Sequence, residues 1–105
     1  MAIRNYTVGT STTTYFTSNG DTVVTPMYLH NTSNSTVTAN IFLVDNRTGS
    51  AVAGTGNQIY GNLQIAAHDT FVIDTEKMIL GNNDFIAANC SAPNSLSLTI
   101  SFTGV

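Results

Sequence analysis

The run Leu96-Ser97-Leu98-Thr99-Ile100-Ser101-Phe102-Thr103 alternates apolar and hydroxyl side chains without an error. Successive side chains of an extended chain point to opposite faces. The period of two therefore predicts a β-strand with Leu96, Leu98, Ile100 and Phe102 buried and Ser97, Thr99, Ser101 and Thr103 wet. Thr36 to Val44 repeats the pattern, with Val37, Ala39, Ile41 and Leu43 inward and Thr36, Thr38 and Asn40 outward. Phe42 and Val44 break its polar face, which predicts partial cover there. Gln58 to Ile65 places Ile59, Gly61, Leu63 and Ile65 on one side and Tyr60, Asn62 and Gln64 on the other.

Working outward, Thr70 to Asp74 reads as a short strand with Phe71 and Ile73 inward. Asp84 to Asn89 is another, with either Phe85 or Ile86 inward. Thr22 to His30 contains Pro26, which has no N–H for a ladder, so this strand lies at an edge or holds a bulge. Tyr6 to Val8 and Thr12 to Thr17 are weaker strands, and Thr12-Thr13-Thr14 is strand or extended arm. Thr75 to Leu80 is a helical turn or a strand. About seven or eight short strands at roughly ten-residue spacing predict an all-β, single-domain antiparallel β-sandwich. The pattern leaves an immunoglobulin-like and a jelly-roll-like order both open. Residues 23–105 form the expected sandwich core, and residues 1–22 an N-terminal arm or edge strands of the same domain.

Composition agrees. The chain has 105 residues, enough for one core. Charged residues are 9% of it, against about 25% in an ordinary soluble domain. Polarity comes instead from 17 Thr, 12 Asn and 9 Ser, together 38 residues. A net charge of −3 argues against nucleic-acid binding, which needs Lys and Arg against phosphates. No apolar run reaches membrane-spanning length, and Met1 to Thr7 has no signal-like apolar core. Cys90 is the single cysteine, so no internal disulfide is expected. Five N-x-[ST] sequons, at Asn5, Asn31, Asn34, Asn46 and Asn89, follow by chance from the Asn, Thr and Ser content.

The connections carry turn chemistry. Ser18-Asn19-Gly20-Asp21 holds Asn-Gly, a hairpin signal. Asn31 to Ser35, Asp45 to Gly49, Ala66 to Asp69, Gly81 to Asp84 and Cys90 to Ser95 read as turns or loops, and Ala51 to Asn57 as a mobile stretch.

Candidate chemistry is sparse. His68-Asp69 with Asp74 and Glu76 invites a metal or acid–base reading, but zinc needs three or four converging ligands and His30 is remote in sequence, so a turn role is expected. Cys90 has no orienting motif and reads as a small buried hydrophobe rather than a nucleophile. No G-x-S-x-G occurs. Asn82-Asn83-Asp84 offers oxygen ligands without calcium-loop spacing and reads as a turn. Gly54-Thr55-Gly56 lacks the Lys and helix of a phosphate loop. Tyr6, Tyr15, Tyr28 and Tyr60 would make a sugar-stacking platform only if they shared an exposed face. No cofactor, metal or enzymatic activity is therefore expected. The outward faces are Thr, Ser and Asn, where a solitary β-protein usually guards its edges with charge. Neutral edges suit a protein covered in an assembly, or one whose loops cover them.

The segments Met27 to Ser33, Ile59 to Ile65, Ala66 to Thr75, Met78 to Ala88 and Ser91 to Ser101 together resemble the small β-sandwich virion proteins of tailed bacteriophages. The likeness covers about residues 23–103 and rests on structural motifs: a strand and short loop, the Leu80-Gly81…Asp84…Ile86 strand pair, and the alternating final strand. The turn departs from that pattern, with Ala66-Ala67-His68 in place of the usual Pro-Ala-Gly. The resemblance implies a non-enzymatic capsid decoration (cement), neck or tail accessory protein, made in the cytoplasm of an infected bacterium and resident in the virion. It implies the major capsid protein or neck and tail proteins as partners, and a homo-oligomer, with a trimer favoured. Neither nucleic acid nor membrane is an expected partner. In the N-terminal segment Ala2 to Thr17, Ile3, Tyr6, Val8, Thr13, Tyr15 and Phe16 are the candidate interaction residues for a strand-adding contact. A host-surface or carbohydrate-binding module is the alternative from another class.

Overall fold

The computed structural model describes residues 2–74 and 78–104. Nine strands form: β1 (Ala2–Val8), β2 (Thr13–Thr17), β3 (Thr22–Asn31), β4 (Val37–Val44), β5 (Gln58–Ile65), β6 (Thr70–Ile73), β7 (Met78–Leu80), β8 (Phe85–Cys90) and β9 (Leu96–Gly104). Sheet I runs β1-β9-β3-β6, with β7 also on β3. Sheet II runs β2-β8-β4-β5, and every pairing is antiparallel. The pairings are nested: β4 with β5, β3 with β6 and β7, β2 with β8, β1 with β9. A long antiparallel hairpin has thus been rolled until β3 meets β9 and β4 meets β8. That order is a jelly roll, and it excludes the immunoglobulin-like alternative.

The inward faces meet as one core of Val8, Phe16, Val24, Met27, Leu29, Val37, Ala39, Ile41, Ile65, Ile73, Leu80, Ile86, Ala88, Cys90, Leu96, Leu98 and Ile100. Each large aliphatic side chain removed from water here contributes about 1.5–3 kcal/mol. The alternation of β9 and β4 is seen as read, and Ile86 rather than Phe85 faces this core. Ser101 departs from expectation: it is buried rather than wet.

Three other expectations are corrected, and of the two readings of Pro26, edge or bulge, the bulge holds. The strand count among the described residues is nine because Met78–Leu80, left open as helical turn or strand, pairs with β3 on the same side as β6; β1 also begins earlier than read, at Ala2. Pro26 does not mark an edge: β3 lies between β9 and β6/β7, and its ladder skips from Val24 to Met27 around a cis Thr25–Pro26 peptide. A bulge disposes of the missing N–H. Asn19-Gly20 does not close a hairpin. Gly20 supplies the turn with φ +77°, but β2 and β3 belong to opposite sheets, so the turn is an arch between them. In β5 the register slips at Gly61–Asn62, where Asn62 has φ +50°. The slip turns Tyr60 inward beside Leu63, leaving Ile59 exposed.

The cover over Phe42 and Val44 exists. With Phe85 and Ala87 they form a small second core on the outside of sheet II, capped by Ala51 and Ala53. The stretch read as mobile is therefore a packed strap. Asn46 Oδ1 accepts from Ala51 N at 2.9 Å, and Asn57 Oδ1 accepts from Gly54 N at 2.9 Å. Asp84 fastens the strap's root, accepting from Asn46 N and Gly81 N, each at 2.8 Å.

Candidate functional site

The outward positions of sheet I are Ile3, Asn5 and Thr7 on β1, Ser97, Thr99 and Thr103 on β9, Val23, Tyr28 and His30 on β3, Thr70 and Val72 on β6, and Ile79 on β7. None is Asp, Glu, Lys or Arg. Ile79 is 73% exposed and Ile3 61%, and Tyr28 and Val72 are also exposed. Among the described residues the strands of an acidic chain thus present this face without charge, with apolar side chains scattered across it. Sequence alternation assigns Ser97, Thr99 and Thr103 to the outside, but only the topology shows that five strands contribute to one surface.

The outer face of sheet II differs. Beside the strap, an amide ladder crosses the strands. Asn89 donates to Thr12 Oγ1 at 2.7 Å, Asn40 donates to Asn89 Oδ1 at 2.8 Å, and Gln58 donates to Asn40 Oδ1 at 3.0 Å. Asn62 N donates to the same Asn40 oxygen at 2.9 Å. The ladder satisfies its own donors and acceptors and serves the fold.

The six candidate residues separate into three pairs. Val8 and Phe16 are buried in the core. Their burial follows from β1 and β2 being edge strands, whose inward residues still face the other sheet. Ile3 and Thr13 are exposed. Tyr6 and Tyr15 pack together across the sheets, with centroids 5.5 Å apart, and Tyr15 Oη accepts from Gly9 N at 2.9 Å. Burial raises the Tyr6 phenol above its ordinary value, with the Arg4 guanidinium pulling the other way.

Beside this pair a cleft of about 330 Å³ opens between the ends of β1 and β2, lined in part by Arg4, Tyr6, Phe16, Asn19 and Phe102. The Arg4 guanidinium stands 5.4 Å from the Phe102 ring centroid, and the Phe16 and Phe102 centroids are 4.7 Å apart.

Elsewhere polar groups are occupied with structure. Asp69 N donates to Ala66 O at 3.0 Å, and His68 sits in that turn at φ +60° with Nε2 2.8 Å from Asn34 Oδ1. His30 Nδ1 is 2.8 Å from Thr70 Oγ1. Glu76 lies outside the described residues, and among the described residues no three His, Cys, Asp or Glu converge. Cys90 is buried, its Sγ 3.0 Å from Ala92 O. Gly81 to Asp84 is a turn, with Asp84 N donating to Gly81 O at 3.1 Å. Gly54 to Asn57 is a single 3₁₀ turn. The tyrosines do not form a platform: Tyr6 and Tyr15 share one place, Tyr28 stands on the outer face of sheet I, and Tyr60 packs on Phe71.

The fold defines this chain as a single-domain jelly-roll β-sandwich. No family model matches it, and no curated protein or solved structure is significantly similar to it.

Proposed function

We propose that this chain is a non-enzymatic structural protein of a tailed-bacteriophage virion, a decoration (cement) protein that binds the assembled head. The reading begins from the sequence resemblance. The observation that carries it further is the outer face of sheet I, uncharged among the described residues of its strands, with Ile3, Tyr28, Val72 and Ile79 exposed. A face without charge meets a partner without the desolvation penalty of buried ions.

Its size bears on how it would be used. Four strand widths of about 4.8 Å and roughly eight residues at about 3.3 Å give a face of about 500 Å². A stable standard interface buries about 800 Å² on each partner. One such face holds weakly, and several on one oligomer hold by avidity. The proposal is therefore a homo-oligomer, a trimer in the first instance, laid across neighbouring copies of the major capsid protein. Binding the assembled lattice and not free subunits stabilises the lattice by mass action. The protein is made in the cytoplasm of the infected bacterium and ends in the virion.

The test is the number of copies per purified virion, by quantitative mass spectrometry against the major capsid protein. Hundreds of copies, with binding to empty heads lost in the Ile79→Asp variant, are expected. A dozen or fewer copies would overturn decoration and move the protein to the neck or tail, where cyclic symmetry sets ring counts. Absence from virions would overturn the virion reading and bring a host-surface or sugar-binding module forward.

A further inference from the structure

Strand β1 is hydrogen-bonded on one side only. It ends sheet I, and among the described residues no strand pairs with its other edge. Its sequence, Ala-Ile-Arg-Asn-Tyr-Thr-Val, has no proline, lysine or acid. Such an edge is a template for one more strand unless something blocks it. Arg4 is the one charged residue there, and its guanidinium Nη1 donates to Ile3 O at 3.1 Å.

Two observations give this edge a preference. Arg4 and Tyr6 lie opposite Ile100 and Leu98, so both take the inward face of β1, two residues apart, on the side where the cleft opens. The cleft behind them has an apolar floor of Phe16 and Phe102. The second is charge. The only ion pair among the described residues is Arg47–Asp45 at 3.2 Å, so within a chain of net charge −3 the Arg4 cation stands at the mouth of an aromatic cleft with no described carboxylate on it.

We propose that the open edge of β1 binds an extended peptide segment of another protein, added antiparallel, carrying an apolar residue followed two positions later by Asp or Glu. The spacing follows from register. An antiparallel strand that sets one residue opposite Tyr6 sets the residue two further on opposite Arg4, and both face the cleft. The apolar side chain packs against the Tyr6 ring at the mouth of the cleft, and the carboxylate takes the guanidinium in a charge-assisted pair. The backbone ladder supplies affinity and the two side chains supply selectivity. This inference does not rest on the virion reading, since it concerns one edge and one peptide class.

The probe is a fluorescein-labelled peptide, Thr-Asn-Thr-Leu-Thr-Glu-Thr-Asn-Thr, titrated against the full chain by anisotropy. Controls are a Glu-to-Lys peptide and a peptide with Leu and Glu adjacent, which sends them to opposite faces. The Leu-x-Glu peptide is expected to bind at least about tenfold more tightly than either control. Arg4→Glu is expected to reverse the preference toward the Leu-x-Lys peptide, with amide shifts confined to β1 and the cleft in ¹H–¹⁵N spectra. Equal binding of the adjacent-residue peptide, indifference to Arg4→Glu, or shifts along β5 or β6 would overturn the proposal. So would a dimer in sedimentation that protects the β1 amides and that the peptide does not dissociate, since the occupant would then be a second copy.

Discussion

Asn31 at the end of β3 donates from Nδ2 to the Ile65 carbonyl of β5, 2.9 Å away, and so ties one sheet of the jelly roll to the other. The same nitrogen donates to Ser35 O at 2.7 Å, and Oδ1 accepts from the Ser33 N–H at 2.9 Å and hydroxyl at 2.7 Å. The residue is fully buried. Every hydrogen-bonding position of its amide is used.

Asn31→Ala leaves the Ile65 carbonyl buried without this donor and frees the Ser33–Ser35 loop. A destabilisation of about 2–4 kcal/mol is expected, summing one stranded buried acceptor and the lost loop bonds. Urea unfolding should show a lower midpoint at unchanged slope. The exposed Asn34→Ala variant, which removes the bond to His68, should shift the midpoint little.

Leu98 is fully buried at the centre of sheet I, between β1 and β3. Leu98→Ala is expected to cost about 2–5 kcal/mol through lost transfer energy and a residual cavity. Ser97→Ala, next in sequence but on the outer face, should stay within about 0.5 kcal/mol. Equal effects in thermal denaturation would contradict the assigned faces.

The Tyr6 phenol is held neutral by burial, so its folded-state value lies above the unfolded 10.0. The unfolded state then loses its proton first as pH rises. The stabilisation is complete below the unfolded value and disappears as pH climbs through the folded one. The stability of wild type relative to Tyr6→Phe should therefore decline as pH rises past the unfolded value of 10.0, measured by chemical denaturation at each pH.

Ala53 lies against the small core of Phe42, Val44, Phe85 and Ala87. Ala53→Asp sets a carboxylate there without a partner and is expected to cost about 1–3 kcal/mol. The strap should lift before the sandwich opens. Hydrogen exchange at Gly54 and Asn57 should then accelerate while the β9 amides stay protected.

The fold class was legible because β9 and β4 alternate, and so was a cover over Phe42 and Val44, which interrupt an otherwise polar face, but not that the stretch read as mobile supplies it. The order of strands was not legible. Turn chemistry at Asn19-Gly20 reports a reversal of the chain, not whether the two strands share a sheet, and here β8 takes β2 away from β3. Pro26 signalled a break in the ladder, and only the partner strands show it to be a central bulge. The face of β5 was misread because a slip at Gly61–Asn62 turns Tyr60 inward, and a second slip between Tyr60 and Gln58 returns Gln58 to the outer face. Candidate site residues Val8 and Phe16 belong to the core, since edge strands still have an inner face. The uncharged face of sheet I and the cleft beside Arg4 were invisible for the same reason: each is assembled from strands distant in sequence.

β9, which sits between β1 and β3, follows the other eight strands in the chain. Its partner across Ala2↔Phe102 is β1, which precedes them. Sheet I therefore has no middle until β9 has been made, and β1 must wait for all the strands between them before it gains its ladder. Closing so long a loop before any bond is gained places folding in the slow, millisecond-to-second regime of non-local β-proteins. During translation the nascent chain shows two strand edges, β1 and β3, with nothing between them. With Arg4 as the one charge on those two strands, the edges are open to pairing with another chain during the interval before β9 emerges.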